Sequence, residues 1–302
     1  AATDYSWEKL DPFLTSLQRQ RFEGEVILLT NGTLGNTVPE RFDYRILLVR
    51  LEESMRLLPP QLLFKKPVIR LCRAFASIAA SEGMRRIMAA VHLAGLSLVG
   101  DVSLVRYLHY LRIVESAPRG ARVIACDTRD VVFQAHPFDE EWPGSLVFAL
   151  EGTDALISSC AWTSKWYRSA YGDEQLSKDG WRRVSCAGTT MGTRESFIEY
   201  LTAMRAEILR LSPANRAVCG IDQGLHNYVV YNGAFGDATF SENGVGPICT
   251  LSYEKPPRFM PGVDGVVRND DGTPVMLVHQ YDRRPDIAEI VETRFRSGTG
   301  KS

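Results

Sequence analysis

The run Ala121, Arg122, Val123, Ile124, Ala125, Cys126, Asp127, Thr128, Arg129, Asp130, Val131, Val132, Phe133 constrains the fold more than any other part of the chain. Its apolar, β-branched residues read as a buried strand that ends in two carboxylates. Side chains delivered at a strand's carboxyl end belong to an open α/β sheet, where ligands gather in the crevice beyond the strands. A second apolar run, Val275, Met276, Leu277 and Val278, ends the same way, in His279, Gln280, Tyr281 and Asp282. Carboxylates and an imidazole at two such ends suit a hard divalent cation bound to phosphate.

The rest of the chain alternates strands and helices. Residues 25–30 form a short β-branched run that stops at Asn31-Gly32, and residues 44–49 form a second. Pro59, Pro60 and Pro67 break the chain ahead of a mainly helical stretch that runs to Gly95. Asp101 is placed to cap a helix carrying Leu104, Leu108 and Leu111 on one face, which stops before Pro118. Residues 145–150 predict a buried strand, and Phe197, Leu201, Met204, Ile208 and Leu211 an amphipathic helix. Asp222 opens a further short helix, and Asn269-Asp270-Asp271-Gly272 predicts a hairpin turn. With 302 residues, 45% of them hydrophobic and 24% charged, the chain suffices for one large α/β domain. We assign that domain to residues 1–296 and a tail to residues 297–302.

Composition removes several functions. A formal net charge of -1, with arginines scattered among acids, offers no stripe for nucleic acid. The six cysteines are far apart with no CxxC pair, which predicts reduced and mostly buried thiols. No apolar run approaches the ~20 residues of a membrane span, and no signal-like segment opens the chain, so a cytoplasmic protein is expected. The closing Ser297-Gly298-Thr299-Gly300-Lys301-Ser302 imitates the end of a phosphate-binding loop, but Phe295 stands where its first glycine is needed.

The order of these pieces resembles the GT-A class of nucleotide-sugar glycosyltransferases. The likeness rests on Thr30-Asn31-Gly32 after the first strand, on Asp127-Thr128-Arg129-Asp130 in the place of a DxD signature, on Asp222-Gln223-Gly224, and on His279. It extends to the small residues of segment 184–192, which includes Ala187, Gly188 and Thr189. Membership of that class implies a Rossmann-type α/β/α sandwich with a mixed central sheet, and Mn²⁺ or Mg²⁺ held against the diphosphate of a nucleoside-diphosphate sugar donor. It also implies metal ligation by Asp130 and His279 with help from Asp127, and donor contacts from Thr30, Asn31, Gly32, Arg129, Ala187, Gly188 and Thr189. Asp222 and Gln223 then stand at the reaction centre, with a carbohydrate or small-molecule hydroxyl as acceptor and a lean toward retention of configuration.

The departure from DxD matters for the ligand set. Counted back from Val131, Asp130 takes the second aspartate's place and Thr128 the first, so Asp127 is displaced by one residue. Asp130 is therefore the expected direct ligand, with Asp127 bound directly or through ribose or water. Other readings stay open at this level. Asp222 also suits a helix N-cap over residues 223–231, and the glycines of 188–192 suit a tight turn from strand to helix. Trp162, Trp166, Trp181, Tyr167 and Tyr171 suit an acceptor platform or core packing. Arg283, Arg284, Glu242 and Asn243 are outlying candidates for substrate contact. A nucleotidyltransferase, a phosphohydrolase or a non-catalytic sugar-binding protein could use the same strand-end carboxylates.

Overall fold

The computed structural model describes residues 2–35, 37–51, 101–251 and 258–296. The helical stretch expected up to Gly95, with Pro59, Pro60, Pro67, Cys72 and His92, lies outside the described residues, as does the tail 297–302.

Ser6 caps α1 (Trp7–Arg19) by accepting from the Lys9 amide, and Glu8 and Arg19 complement the helix dipole at its two ends. The first two predicted strands are β1 (Glu25–Thr30) and β2 (Arg45–Arg50), and they pair in parallel. As predicted, Asp101 caps α2 (Val102–Ser116), its carboxylate accepting from Ser103 N at 3.0 Å. Three strands follow: β3 (Arg122–Cys126), β4 (Val131–Phe133) and β5 (Leu146–Leu150). Next come α3 (Ala161–Asp179), kinked at Gly172, then β6 (Ser185–Thr193), α4 (Arg194–Arg210), the single turn α5 (Pro213–Arg216) and α6 (Ile221–Asn232). The chain closes with β7 (Ala238–Ser241), β8 (Ile248–Thr250), β9 (Leu277–His279), a 3₁₀ turn (Tyr281–Arg283) and α7 (Pro285–Phe295).

The architecture is mixed α/β, and the strands of the described residues pair as three sheets. Beside the β1-β2 pair stand a four-stranded sheet in the order β3-β6-β5-β7 and a three-stranded sheet in the order β4-β9-β8. Each of the two larger sheets joins parallel and antiparallel neighbours. The physical reason for the division is the acidic segment itself: after β3 the chain leaves one sheet across residues 127–130 and enters the other as β4.

Burial follows from this arrangement. β5 lies between β6 and β7 and is buried at every position, which explains its unbroken apolar sequence. Leu104, Leu111, Phe197, Leu201, Ile221 and Leu225 pack α2, α4 and α6 against the strands of the larger sheet. Leu10, Phe13, Leu14 and Leu17 of α1 join a second core with β1 and β4. β3 departs from expectation, being half-buried throughout. Among the described residues it pairs with β6 alone, and it borders a cavity of about 620 Å³ that it shares with β1, lined by Phe13, Leu28, Val114, Ile124 and Phe133.

Residues 188–192 lie inside the strand β6, and the tight-turn alternative does not hold. Its glycines serve close approach: a Cβ on Gly192 would lie 2.9 Å from Leu146 Cδ1 and 3.0 Å from Ser145 O. Cys126, Cys160, Cys186, Cys219 and Cys249 are all free thiols, and Cys219 is the exposed one among them.

Candidate metal centre

Three strand ends meet where the two larger sheets adjoin. The β3–β6 ladder runs one step past Cys126, with Asp127 N donating to Gly188 O at 2.8 Å, so Asp127 stands opposite Gly188. In the other sheet Val131 pairs with His279, and Gln280 N donates to Asp130 O at 2.8 Å. Gln280 takes the left-handed conformation (φ 58°, ψ 32°) to make that bond, a strained choice for a non-glycine residue that the surrounding pairing holds in place.

These constraints bring Asp127, Asp130 and His279 together, with one ligand atom from each lying within 4.8 Å of the others. His279 Nε2 is 3.8 Å from Asp127 Oδ2 and 3.8 Å from Asp130 Oδ1. That separation is too long for a hydrogen bond and short enough for both atoms to reach one ion at about 2.1 Å, whose ligands lie at most about 4.2 Å apart. His279 is fully buried, yet its Nε2 has no hydrogen-bond partner. Gly188 provides the cradle, since a Cβ there would sit 2.6 Å from His279 Cε1 and 2.8 Å from Asp127 Oδ2. Two carboxylates and one imidazole with an orphaned buried nitrogen fit a divalent cation that accepts oxygen and nitrogen, Mn²⁺ or Mg²⁺. Asp127 reaches the cluster as closely as Asp130 does, so the offset in its sequence position does not displace its carboxylate.

A buried arginine organises the cluster from below. Arg106 of α2 bonds Asp127 Oδ1 at 2.6 Å and Asp222 Oδ2 at 2.7 Å, and donates to Ala187 O at 3.2 Å. Burial works against ionising Asp127, but Arg106 and His279 outweigh it and hold its carboxyl well below the usual carboxylate range. Burial raises Asp130, and the neighbouring Asp127 charge pushes the same way. Burial raises Asp222 too, against the pull of Arg106. His279 goes upward: burial opposes its charge, but Cys186, Asp127 and Asp130 favour it more.

The other predicted residues fall into place around this centre. Asp222 sits in the first turn of α6 and is not its cap; Gly220, in the left-handed conformation, takes that position. Gln223 clamps β6, its Oε1 accepting from Ala187 N and its Nε2 donating to Ser185 O, both at 2.8 Å. Arg129 is half-exposed and lies 3.0 Å from Asp282 and 3.5 Å from Asp130. Strand alternation turns Gly188 toward the cluster and its neighbours Ala187 and Thr189 to the other face; Thr189 is fully buried. Thr30 is buried and accepts from Gly32 N at 3.1 Å, while Asn31 is bonded to Asp4 at 2.8 Å. The turn after β1 is linked to the cluster through Tyr5, whose phenol is raised by burial and lies in the fields of Arg129, Asp127 and Asp130.

Of the aromatic group, Tyr167 is core, Tyr171 stacks on Tyr228 at 4.0 Å, and Trp162 and Trp181 are exposed. Trp166 packs against Gly220 and Gly224 of α6. Arg284 pairs with Asp286, Glu242 pairs with Arg183, and Asn243 bonds both backbone groups of Thr250.

Sequence reading missed Arg106, Tyr5 and Glu151. Glu151 carried a readable signal: like Asp127 and His279, it ends an apolar strand run in a titratable side chain. Arg106 carried one as well, a charge on a helix whose residues Leu104, Val105 and Tyr107 are all buried. The chain matches no known family model and no curated protein sequence.

Proposed function

We propose that the chain is a metal-dependent glycosyltransferase of the GT-A type that moves a sugar from a nucleoside-diphosphate donor to a hydroxyl of a carbohydrate or small-molecule acceptor. The observation that supports this most is the convergence of Asp127, Asp130 and His279, remote in sequence, on one point with an unpartnered imidazole nitrogen. A divalent cation held there supplies charge stabilisation to a departing diphosphate without donating a proton.

In this reading Arg129, half-exposed beside Asp130, adds charge-assisted hydrogen bonds to phosphate oxygens. Thr30, Asn31 and Gly32, at the carboxyl end of β1, meet the nucleoside. Gly188, between Ala187 and Thr189, lets β6 pass close enough for His279 and Asp127 to converge on the cation. Asp222 and Gln223 hold the reaction centre in shape, one through Arg106 and the other through the β6 backbone. An Asp222 carboxylate already engaged by Arg106 makes a poor general base, which fits a retaining reaction that needs none. The whole described chain works as one domain in this proposal. None of its described helices is long and apolar enough to cross a membrane.

Thermal-shift measurements with uridine, guanosine and thymidine diphosphates plus Mn²⁺ identify the base, because a ligand at 100 times its Kd stabilises by about 2.7 kcal/mol. A protein that binds sugars without nucleotides shows no such shift. With the donor known, Asp130→Ala and His279→Ala are expected to lower turnover by at least about 100-fold. Folded variants that turn over at wild-type rates in the presence of a chelator would falsify the proposal.

A further inference from the structure

The side of His279 that faces away from the two aspartates meets a group with no part in the chemistry above. Its Nδ1 lies 3.5 Å from Cys186 Sγ, and both residues are buried at 0–2% exposure. The pairing of β5 with β6, Leu150 opposite Ser185, puts Glu151 just after β5 on the same face as Cys186, whose thiol lies in the field of the Glu151 carboxylate; Glu151 is 4% exposed. The Glu151 backbone is fixed to the base of β6 through Glu151 N donating to Val184 O at 2.9 Å. The Oε2 of that carboxylate has no partner. A buried acid with a free oxygen is costly unless it serves a neighbour.

The direction of the hydrogen bonds follows from the donor inventory. A ligating Nε2 must offer its lone pair to the cation, so the ring proton sits on Nδ1. Nδ1–H then donates to Cys186 Sγ, the thiol S–H donates to Glu151, and the chain ends on an acceptor. Every group in the line has a single consistent role. Ligating histidines commonly give their second N–H to a carboxylate that fixes tautomer and ring orientation; here a thiol stands between the two.

Resting on the metal reading of this site, we propose that Glu151 and Cys186 form a carboxylate–thiol relay that positions His279 for metal binding. Both are positioning residues: they act through the imidazole and touch neither ion nor substrate. The relay also accounts for a buried, unreactive cysteine among the small residues of β6, because a shorter side chain there would leave Nδ1–H without an acceptor.

Mn²⁺ binding to the purified protein, followed by the electron paramagnetic resonance of the free aqua ion, tests the relay without any knowledge of substrate. Cys186→Ala and Glu151→Ala are each expected to weaken Mn²⁺ binding about 10- to 100-fold. Cys186→Ser, which keeps a donor and an acceptor at that position, is expected to recover most of the loss. The double variant Glu151→Ala/Cys186→Ala should bind no more weakly than the worse single one, because both act along one line. Circular dichroism establishes that each variant is folded, and Glu151→Gln, of equal volume, stands in should Glu151→Ala not fold. Folded variants that bind Mn²⁺ as tightly as wild type, or a Cys186→Ser no better than Cys186→Ala, overturn the relay and leave the metal centre standing. A wild-type protein that binds no Mn²⁺ removes the metal centre and the relay together.

Discussion

Arg106 is the residue on which the electrostatics of the site turn. One guanidinium serves two carboxylates from different strands and helices, at 2.6 and 2.7 Å, in a place where its side chain is only 10% exposed. Buried ion networks of this kind add little net stability when complete, but breaking one strands the remaining charges. Arg106→Met is therefore expected to destabilise the protein by about 3–5 kcal/mol in chemical denaturation. Arg106→Lys should rescue little, because a single ammonium cannot reproduce the planar fork that spans Asp127 and Asp222. A lysine variant as stable as wild type contradicts this account.

Among the elements, β6 and α6 form the unit that holds the site together. Gln223 and Asn227, one turn apart on α6, bond the backbone of Ser185 and Ala187 where β6 begins. The small side chains of that strand bring little packing of their own, so its position depends on these amide clamps. Gln223→Leu leaves the Ala187 amide unpaired, while Ser185 O keeps its bond from Asn227 Nδ2, and is expected to cost about 1–3 kcal/mol. Hydrogen exchange at the Ala187 amide should accelerate in this variant before the rest of the sheet opens. Uniform protection across β6 would show that the clamp is dispensable.

At the scale of the whole molecule, the pH dependence of folding carries the mark of a second buried histidine. His226 is hydrogen-bonded to Tyr200 at 2.7 Å and to Ser185 at 2.8 Å and is held neutral, its pKa pushed down to about 3 by burial and by the Arg106 charge. In the unfolded chain the imidazole titrates near 6.5. Its contribution to stability is thus complete above pH 6.5 and declines as pH falls from 6.5 toward 3, by up to about 1.4 kcal/mol per pH unit. Glu151 runs the other way: burial pushes its pKa up to about 7, so it favours the folded state most at low pH and less as pH rises from about 4.5. The two slopes oppose each other between those values. The informative measurement is the difference between wild type and His226→Gln, whose unfolding free energies should converge as pH falls from 7 to 4. A constant gap over that range rules out a neutral buried His226.

What the sequence determined by itself was local: the strands at 25–30 and 145–150, the Asp101 cap, the amphipathic helix through Phe197 and Leu201, and the tight turn at Asn269–Gly272 bridged by Arg268 and Pro274. Each follows from periodicity, capping or turn chemistry within a few neighbours. The acidic segment and His279 were also legible as candidate ligands, because apolar strands that end in charge stand out against the pattern of burial. Only the tertiary structure decided that residues 127–130 cross between two sheets, that Arg106 reaches under them, and that Glu151 and Cys186 back His279. Those facts depend on which strand edges pair and on what lies across from a glycine, and pairing between segments about 150 residues apart leaves no mark in either segment alone.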